Sequence, residues 1–324
     1  EAAAAGVPVR FLPAAYTLRE LTAEAQRLVG DGRVVEAAPK ADASGLTATV
    51  PRTVPGATIL SAAGIPVTVT AGDPPRATGR QADTPQFWGG ARYTVIANRP
   101  CSTGFTVKRE GLPLPSRLML TAAHCARSTG GNVTITGQPD PAGTVEAGSM
   151  SDCRDTMLLQ LPNGAAGSVY TGSWNSANGA VVGQGTGITA EPDFVGNLVT
   201  TSGADTGEHA NLRVEAVNAA AQFLDVTRCL LVTPLIRART TSAQCAVGPG
   251  DSGGPVWSGT AIRGRGTIVG GTEGVEGERA GCPSAAPSGA PQLGFKSVFY
   301  APLLRPTGDP MTGSLQHYGL TLVP

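Results

Sequence analysis

Gly250-Asp251-Ser252-Gly253-Gly254-Pro255, read together with Thr121-Ala122-Ala123-His124-Cys125 well upstream, decides how this chain is read. A serine hydroxyl is a poor nucleophile at neutral pH. It becomes useful when a neutral imidazole can take its proton and backbone N–H groups can hold the oxyanion that forms. Ser252 is flanked by Gly250, Gly253 and Gly254, so no side chain keeps a substrate from the backbone there. His124 closes an apolar run, Leu118-Met119-Leu120, and adjoins a cysteine that can pin it. The chain has 3 histidines, and His209 and His317 lack any comparable context, reading as surface or satisfied-core groups. Both motifs point to acyl transfer from a peptide or ester bond.

Such a serine–histidine pair works best with a carboxylate that fixes the imidazole tautomer and stabilises the imidazolium. Between the motifs lies Ser151-Asp152-Cys153-Arg154-Asp155-Thr156-Met157-Leu158-Leu159. Asp155 immediately precedes the apolar strand-like run, where its carboxylate can turn inward; Asp152 competes from deeper in a polar loop. Asp155 is preferred. The chain order is then His–Asp–Ser.

Composition suits this chemistry. At 324 residues the chain has room for about two domains, at roughly 150 residues each. Its 44 glycines and 26 prolines, with 5% aromatic and 15% charged residues, fit a turn-rich protein of short strands rather than a helical bundle. A net charge of +0 gives no reason to expect nucleic acid or an anionic membrane as partner. No apolar run approaches the roughly 20 residues of a membrane span. The six cysteines all lie from Cys101 onward and fit an oxidising compartment with three bridges. They lack C-x-x-C spacing, which argues against zinc, and nothing calls for another metal or a cofactor. No signal peptide is visible, so export implies one already removed. The expectation is a secreted, monomeric protein.

The chain reads in two parts. In residues 1–80, Thr17-Leu18-Arg19-Glu20 has capping-box spacing, and Leu18, Leu21, Ala25, Leu28 and Val29 follow on one helical face up to Gly30. Strand-like runs Leu46 to Val50 and Ile65 to Thr70 come next, giving a small helix-plus-sheet domain. Ala71 to Pro85, rich in Pro, Gly, Asp and Arg, reads as a linker open to proteolysis, with a processing region at 81–87. Evenly spaced strands follow in 88–324: Tyr93–Ala97, Gly104–Val107, Leu118–Thr121, Val133–Thr136, Thr156–Leu161, Leu212–Val217, Leu231–Ile236 and Thr267–Gly271. That spacing predicts a mainly β pair of barrels or a sandwich.

These motifs resemble the chymotrypsin-fold serine endopeptidases, and within them the secreted bacterial streptogrisins and α-lytic protease. The matching stretches are Cys101-Ser102-Thr103-Gly104-Phe105, Thr121–Cys125, Thr206-Gly207 leading into Leu212–Asn218, Cys245 to Pro255, Val298-Phe299-Tyr300 and Tyr318-Gly319-Leu320. The resemblance implies two six-stranded antiparallel β-barrels with the site in the cleft between them. It makes His124 general base and acid, Asp155 its orienter and Ser252 the nucleophile, with the N–H groups of Gly250 and Ser252 as oxyanion hole. It also implies the bridges Cys101–Cys125 and Cys245–Cys282, and with them Cys153–Cys229. Residues 1–80 resemble the tail of a pro-segment, a folding template and inhibitor, and the mature chain would begin near Phe87-Trp88-Gly89-Gly90. Slow-folding, non-locally paired strands give such a template a rationale.

Two features depart from these relatives. Their counterpart of Asp251 is held by an internal arginine near the Thr-Gly motif, whereas here Thr200-Thr201-Ser202-Gly203-Ala204-Asp205 contains no base. A buried carboxylate needs a partner, and Arg237, Arg239 or a freed N-terminus are candidates. The serine loop is also about one residue longer, which alters the pocket for the residue before the scissile bond. Ala246, Val247, Gly248 and Pro249, with Thr272, Glu273 and Gly274, are expected to line it. The first four carry no acid, so a medium apolar side chain is expected there; Glu273 either biases a subsite toward basic groups or is a solvated edge residue. Substrates are expected to be proteins or peptides. The competing readings are a catalytically silent binding protein on this fold and an esterase with the same three residues.

Overall fold

A computed structural model describes residues 13–32, 34–51, 64–72, 79–109, 117–223, 229–242, 244–271, 279–282 and 292–324. They divide into two compact units, 1–77 and 78–324.

In the first unit the chain starts its helix, Leu18–Gly30 (α1), where the capping box said it would. Thr17 Oγ1 accepts from the Glu20 N–H at 3.2 Å, and the Glu20 carboxylate accepts from the Thr17 N–H at 2.8 Å. Leu21, Ala25 and Leu28 are buried, but Leu18 and Val29 flank this stripe and stay exposed, so the apolar face is narrower than the sequence pattern. The stripe packs with Val34, Leu46, Ala48, Val50 and Ile65. Strand Leu46–Pro51 alternates buried and open residues, pairing antiparallel with Glu36–Pro39 and parallel with Val67–Gly72. Glu36–Pro39 was not anticipated, because Glu-Ala-Ala-Pro carries no β-branched or aromatic residue. The unit is a small α/β layer pair.

The second unit is built of β-strands. Leu198–Gly203, Gly207–Ala221, Val232–Thr240, Ser297–Pro302, Arg263–Gly271 and Pro255–Ser258 hydrogen-bond in that order and close into a barrel. Val199, Leu212, Ile236, Val256, Ile268 and Tyr300 fill its interior. A second six-stranded sheet runs Leu320–Leu322, Thr106–Arg109, Arg117–Thr121, Met157–Gln160, Gly143–Val145 and Asn132–Val133. It does not close among the described residues, which corrects the expectation of two closed barrels. The run anticipated at Val133–Thr136 pairs for only two residues, Asn132 and Val133, and is soon followed by Pro139 and Pro141, which have no N–H to offer a ladder. Beyond it a single bridge, Thr94 to Thr134, reaches the hairpin of Arg92–Thr94 and Pro100–Ser102. A three-stranded sheet, Gly179–Val181, Ala165–Tyr170 and Phe87–Gly89, and a two-stranded one, Arg279–Cys282 with Gln292–Phe295, also belong to the unit. Among the described residues no helix is long and apolar enough to cross a membrane.

Candidate active site

The open sheet delivers His124 and Asp155 to one place by register. Strand Arg117–Thr121 pairs antiparallel with Met157–Gln160, with Thr121 opposite Met157. The turn after the first strand, Ala123–Cys125, therefore lies beside the turn before the second, which holds Asp155. That turn is pinched shut by a bridge between Ser151 and Thr156. Asp155 has φ +53°, a left-handed backbone that aspartate tolerates better than most residues. Its buried carboxylate accepts from the His124 N–H at 2.9 Å through Oδ1, and Oδ2 lies 2.7 Å from His124 Nδ1. A carboxylate is an acceptor, so Nδ1 carries a proton, which in the neutral ring leaves the lone pair on Nε2. Asp152, the competing acid, stays half-buried in the turn and lends its carbonyl to the Asp155 N–H. Beneath the pair, the Tyr93 hydroxyl donates to Thr121 Oγ1 at 2.9 Å, and Thr121 donates to the Ser102 carbonyl. Burial pushes the Tyr93 phenol well up, so it stays a neutral donor.

The barrel delivers Ser252. The turn that carries it is tied to the open sheet by the Ser102 N–H, which donates to the Ser252 carbonyl at 2.8 Å, and by Ser102 Oγ, which donates to the Gly250 carbonyl at 2.9 Å. Cys125 Sγ lies 3.9 Å from the same Ser252 carbonyl, so the serine turn abuts the immediate neighbour of His124. Ser252 Oγ donates to the Val269 carbonyl at a long 3.5 Å. Gly250 has φ +93°, and a Cβ there would sit 1.9 Å from the Asp205 carboxylate, so any other residue is strained and must displace Asp205. Among the described residues, the N–H groups of Gly250 and Ser252 make no hydrogen bond, whereas those of Asp251, Gly253 and Gly254 all donate to carbonyls.

Asp251 is fully buried below this turn. It accepts from the N–H groups of Gly248 at 2.8 Å, Asp205 at 3.0 Å and Thr206 at 2.9 Å, and from the Thr206 hydroxyl. Burial drives its carboxyl up against these donors. Thr206 Oγ1 also lies 2.8 Å from His209 Nε2. Because the Thr206 proton is given to Asp251, His209 must donate from Nε2, and burial with the nearby Arg80 charge lowers its pKa to about 4. His209 thus has a place that its sequence context did not reveal. Asp205, likewise unflagged, ion-pairs with Arg92, and its pKa rises to about 6 chiefly through burial.

Three disulfides join Cys101 to Cys125, Cys153 to Cys229 and Cys245 to Cys282. Donor atoms of Cys101, His124 and Cys125 lie within 4.8 Å of one another, but the two sulfurs are bonded together and neither is the thiolate a metal would need. Of the residues expected to line a substrate pocket, Ala246 and Val247 are packed in the barrel core, and both of their N–H groups point to the Phe295 carbonyl. Gly248 is buried with its N–H on Asp251, and Pro249 is exposed. Thr272, Glu273 and Gly274 lie outside the described residues.

No family model matches the chain, and no curated protein does. Solved structures do. Protease A of Thermobifida fusca is 26% identical, covering 73% of this chain and 98% of its own, with a TM-score of 0.49. The Nocardiopsis protease NAPase is 24% identical, covering 74% and 99%, at 0.49. Cellulomonas bogoriensis chymotrypsin is 25% identical, covering 73% and 97%, at 0.47. The structural neighbours are bacterial chymotrypsin-fold serine proteases.

Proposed function

We propose that this chain is an exported serine endopeptidase in which Ser252, His124 and Asp155 form the catalytic triad. The observation that carries the reading is the buried His124–Asp155 pair, with a ring proton on Nδ1 at 2.7 Å, beside a serine turn whose Gly250 and Ser252 N–H groups make no hydrogen bond among the described residues. An imidazole so oriented has one free base, Nε2, and the unspent donors offer what an acyl-transfer oxyanion requires.

In the cycle this implies, Ser252 Oγ attacks the carbonyl carbon of the scissile bond and its proton passes to His124 Nε2. The carbonyl π pair becomes the oxyanion, held by the Gly250 and Ser252 N–H groups, and Asp155 stabilises the imidazolium. Collapse breaks the C–N bond, and His124 returns the proton to the leaving amine. Water, deprotonated by the same nitrogen, then cleaves the acyl-enzyme. From its long bond to the Val269 carbonyl the Ser252 hydroxyl must rotate toward His124, and catalytic hydrogen bonds commonly tighten only once substrate binds.

Three disulfides support assignment to an oxidising, extracellular compartment. The small α/β unit is proposed to serve as the pro-region, a template and inhibitor, and the working enzyme as a monomer acting on protein or peptide substrates. A fluorophosphonate titration tests the function. Stoichiometric labelling of Ser252 in the processed chain, abolished by Ser252→Ala, together with cleavage of peptides of at least four residues, is the expected result. An unlabelled processed chain would mark a binding protein instead, and turnover restricted to short acyl esters would mark an esterase.

A further inference from the structure

Asp251 needs a positive charge, and no base lies in its own loop. Arg237 is engaged elsewhere, with Glu215 at 3.2 Å. The charge that does reach this place comes from a stretch that looked like linker. Arg80 is wholly buried. Its Nη1 donates to the Gly203 carbonyl and its Nη2 to the Gly172 carbonyl at 3.1 Å, and its guanidinium lies 5.9 Å from the centre of the Tyr170 ring. Gly203 is the residue against which the Asp251 carboxylate rests, since a Cβ there would fall 2.1 Å from Asp251 Oδ1. Guanidinium and carboxylate therefore both meet Gly203, the one at its carbonyl and the other at its Cα.

The neighbours of Arg80 strengthen the attachment. Gln81 Nε2 donates to the carbonyls of Trp174, at 2.9 Å, and Ala204. Gly203 and Ala204 lead directly into Asp205 and Thr206, whose N–H groups hold Asp251. The Arg92 N–H donates to the Arg80 carbonyl at 2.7 Å, and buried Asp83 accepts from the Trp88 N–H at 2.8 Å and the Tyr170 hydroxyl at 2.7 Å. The fully buried charges pair off, with the more open Glu208 a further carboxylate near Arg80. Arg92 pairs with Asp205, which leaves Arg80 to offset Asp251. Without Arg80 the buried cluster would hold two carboxylates and one cation, and an uncompensated buried charge is strongly destabilising.

We propose that Gly79–Asp83 belongs to the protease unit, with Arg80 a positioning residue that supplies the cation for Asp251 and so sets the Gly250–Ser252 turn. Any cleavage that releases the small α/β unit then falls before Gly79, not near Phe87 as the sequence suggested. The inference rests on the protease reading only for its effect on turnover.

Two measurements test it. Mass spectrometry of the active species should find an N-terminus at or before Gly79; an active chain beginning after Arg80 overturns the proposal. A double-mutant cycle on the full chain then tests the pairing without using activity. Trp88, Trp174 and Trp257 are the three tryptophans and all lie in the second unit, so their fluorescence in urea follows that unit alone. Arg80→Gln and Asp251→Asn should each lower the midpoint, and the double variant should lose clearly less than the sum; additive losses overturn the pairing. In the active enzyme, Arg80→Gln should lower kcat about 10–100-fold with KM within about twofold, and Arg80→Lys should recover part of it. Unchanged kcat overturns the positioning role. Should Arg80→Gln leave no folded chain, Arg80→Lys decides: a restored unfolding transition supports the charge, and none overturns it. If wild type takes no fluorophosphonate while the cycle shows coupling, the protease reading fails and the pairing stands; labelling without coupling gives the reverse.

Discussion

The two six-stranded sheets of the second unit hold their shares of the site by different means. The closed barrel presents Ser252 on a turn fastened from below by a buried carboxylate with four donors. The open sheet presents His124 and Asp155 on two adjacent turns that fasten each other, with a disulfide at Cys125. A ring of paired strands fixes its own geometry through continuous hydrogen bonding, and its serine turn adds the buried anchor to two bonds from Ser102 and the nearby Cys245–Cys282 bridge. A sheet with free edges needs the covalent stitch and the side-chain pair.

The largest effect should come from breaking the side-chain pair electrostatically. Asn tolerates the left-handed backbone of Asp155, so Asp155→Asn should fold and yet lose about 10⁴-fold in kcat, because the amide cannot hold the same tautomer. Steady-state kinetics beside a urea unfolding curve checks both halves; a variant within tenfold of wild type would remove Asp155 from the mechanism. On the barrel side, Gly250→Ala pits a Cβ against the Asp205 carboxylate and forbids φ +93°. Displacing one of the two proposed oxyanion donors should cost about 10²–10³-fold in kcat. Fluorophosphonate labelling should slow in step with peptide turnover.

Removing the stitch sharpens the comparison on stability. Replacing Cys101 and Cys125 by alanine opens a loop of 24 residues and should cost about 3 kcal/mol, read from tryptophan-detected unfolding. The smallest effect concerns pH. His209 is held neutral with its pKa lowered from 6.5 to about 4, so it binds fewer protons folded than unfolded. Its contribution is present above pH 6.5 and is lost as pH falls toward 4. His209→Gln should therefore flatten the acid limb of the stability profile between those values. An unchanged limb would mean that the ring is charged or free in the fold.

The sequence made some of this visible and hid the rest for physical reasons. Thr17 and Glu20 announce their helix because a capping box is local. His124 and Asp155 were legible because each precedes or follows an apolar run, and strand pairing does the rest. Glu36–Pro39 was invisible because its pairing, not its composition, makes it a strand. The closing of one sheet and not the other depends on edge pairings that no local pattern encodes. Arg80 is the sharpest case. In a Pro- and Gly-rich stretch an arginine looks solvated, and only tertiary folding carries it 123 positions along the chain to Gly203.

Strand Leu320–Leu322 lies along Thr106–Arg109, on the sheet that holds His124. The two partners are more than two hundred positions apart in the polymer. During synthesis, residues 106–125 leave the ribosome long before the segment that covers their flank, and they wait with an uncovered margin while the whole barrel is made. Completion of that sheet thus waits for residues 320–322, which are made after every strand of the barrel. A protease built this way completes the His124 side of its site only after the barrel that carries Ser252 has been made.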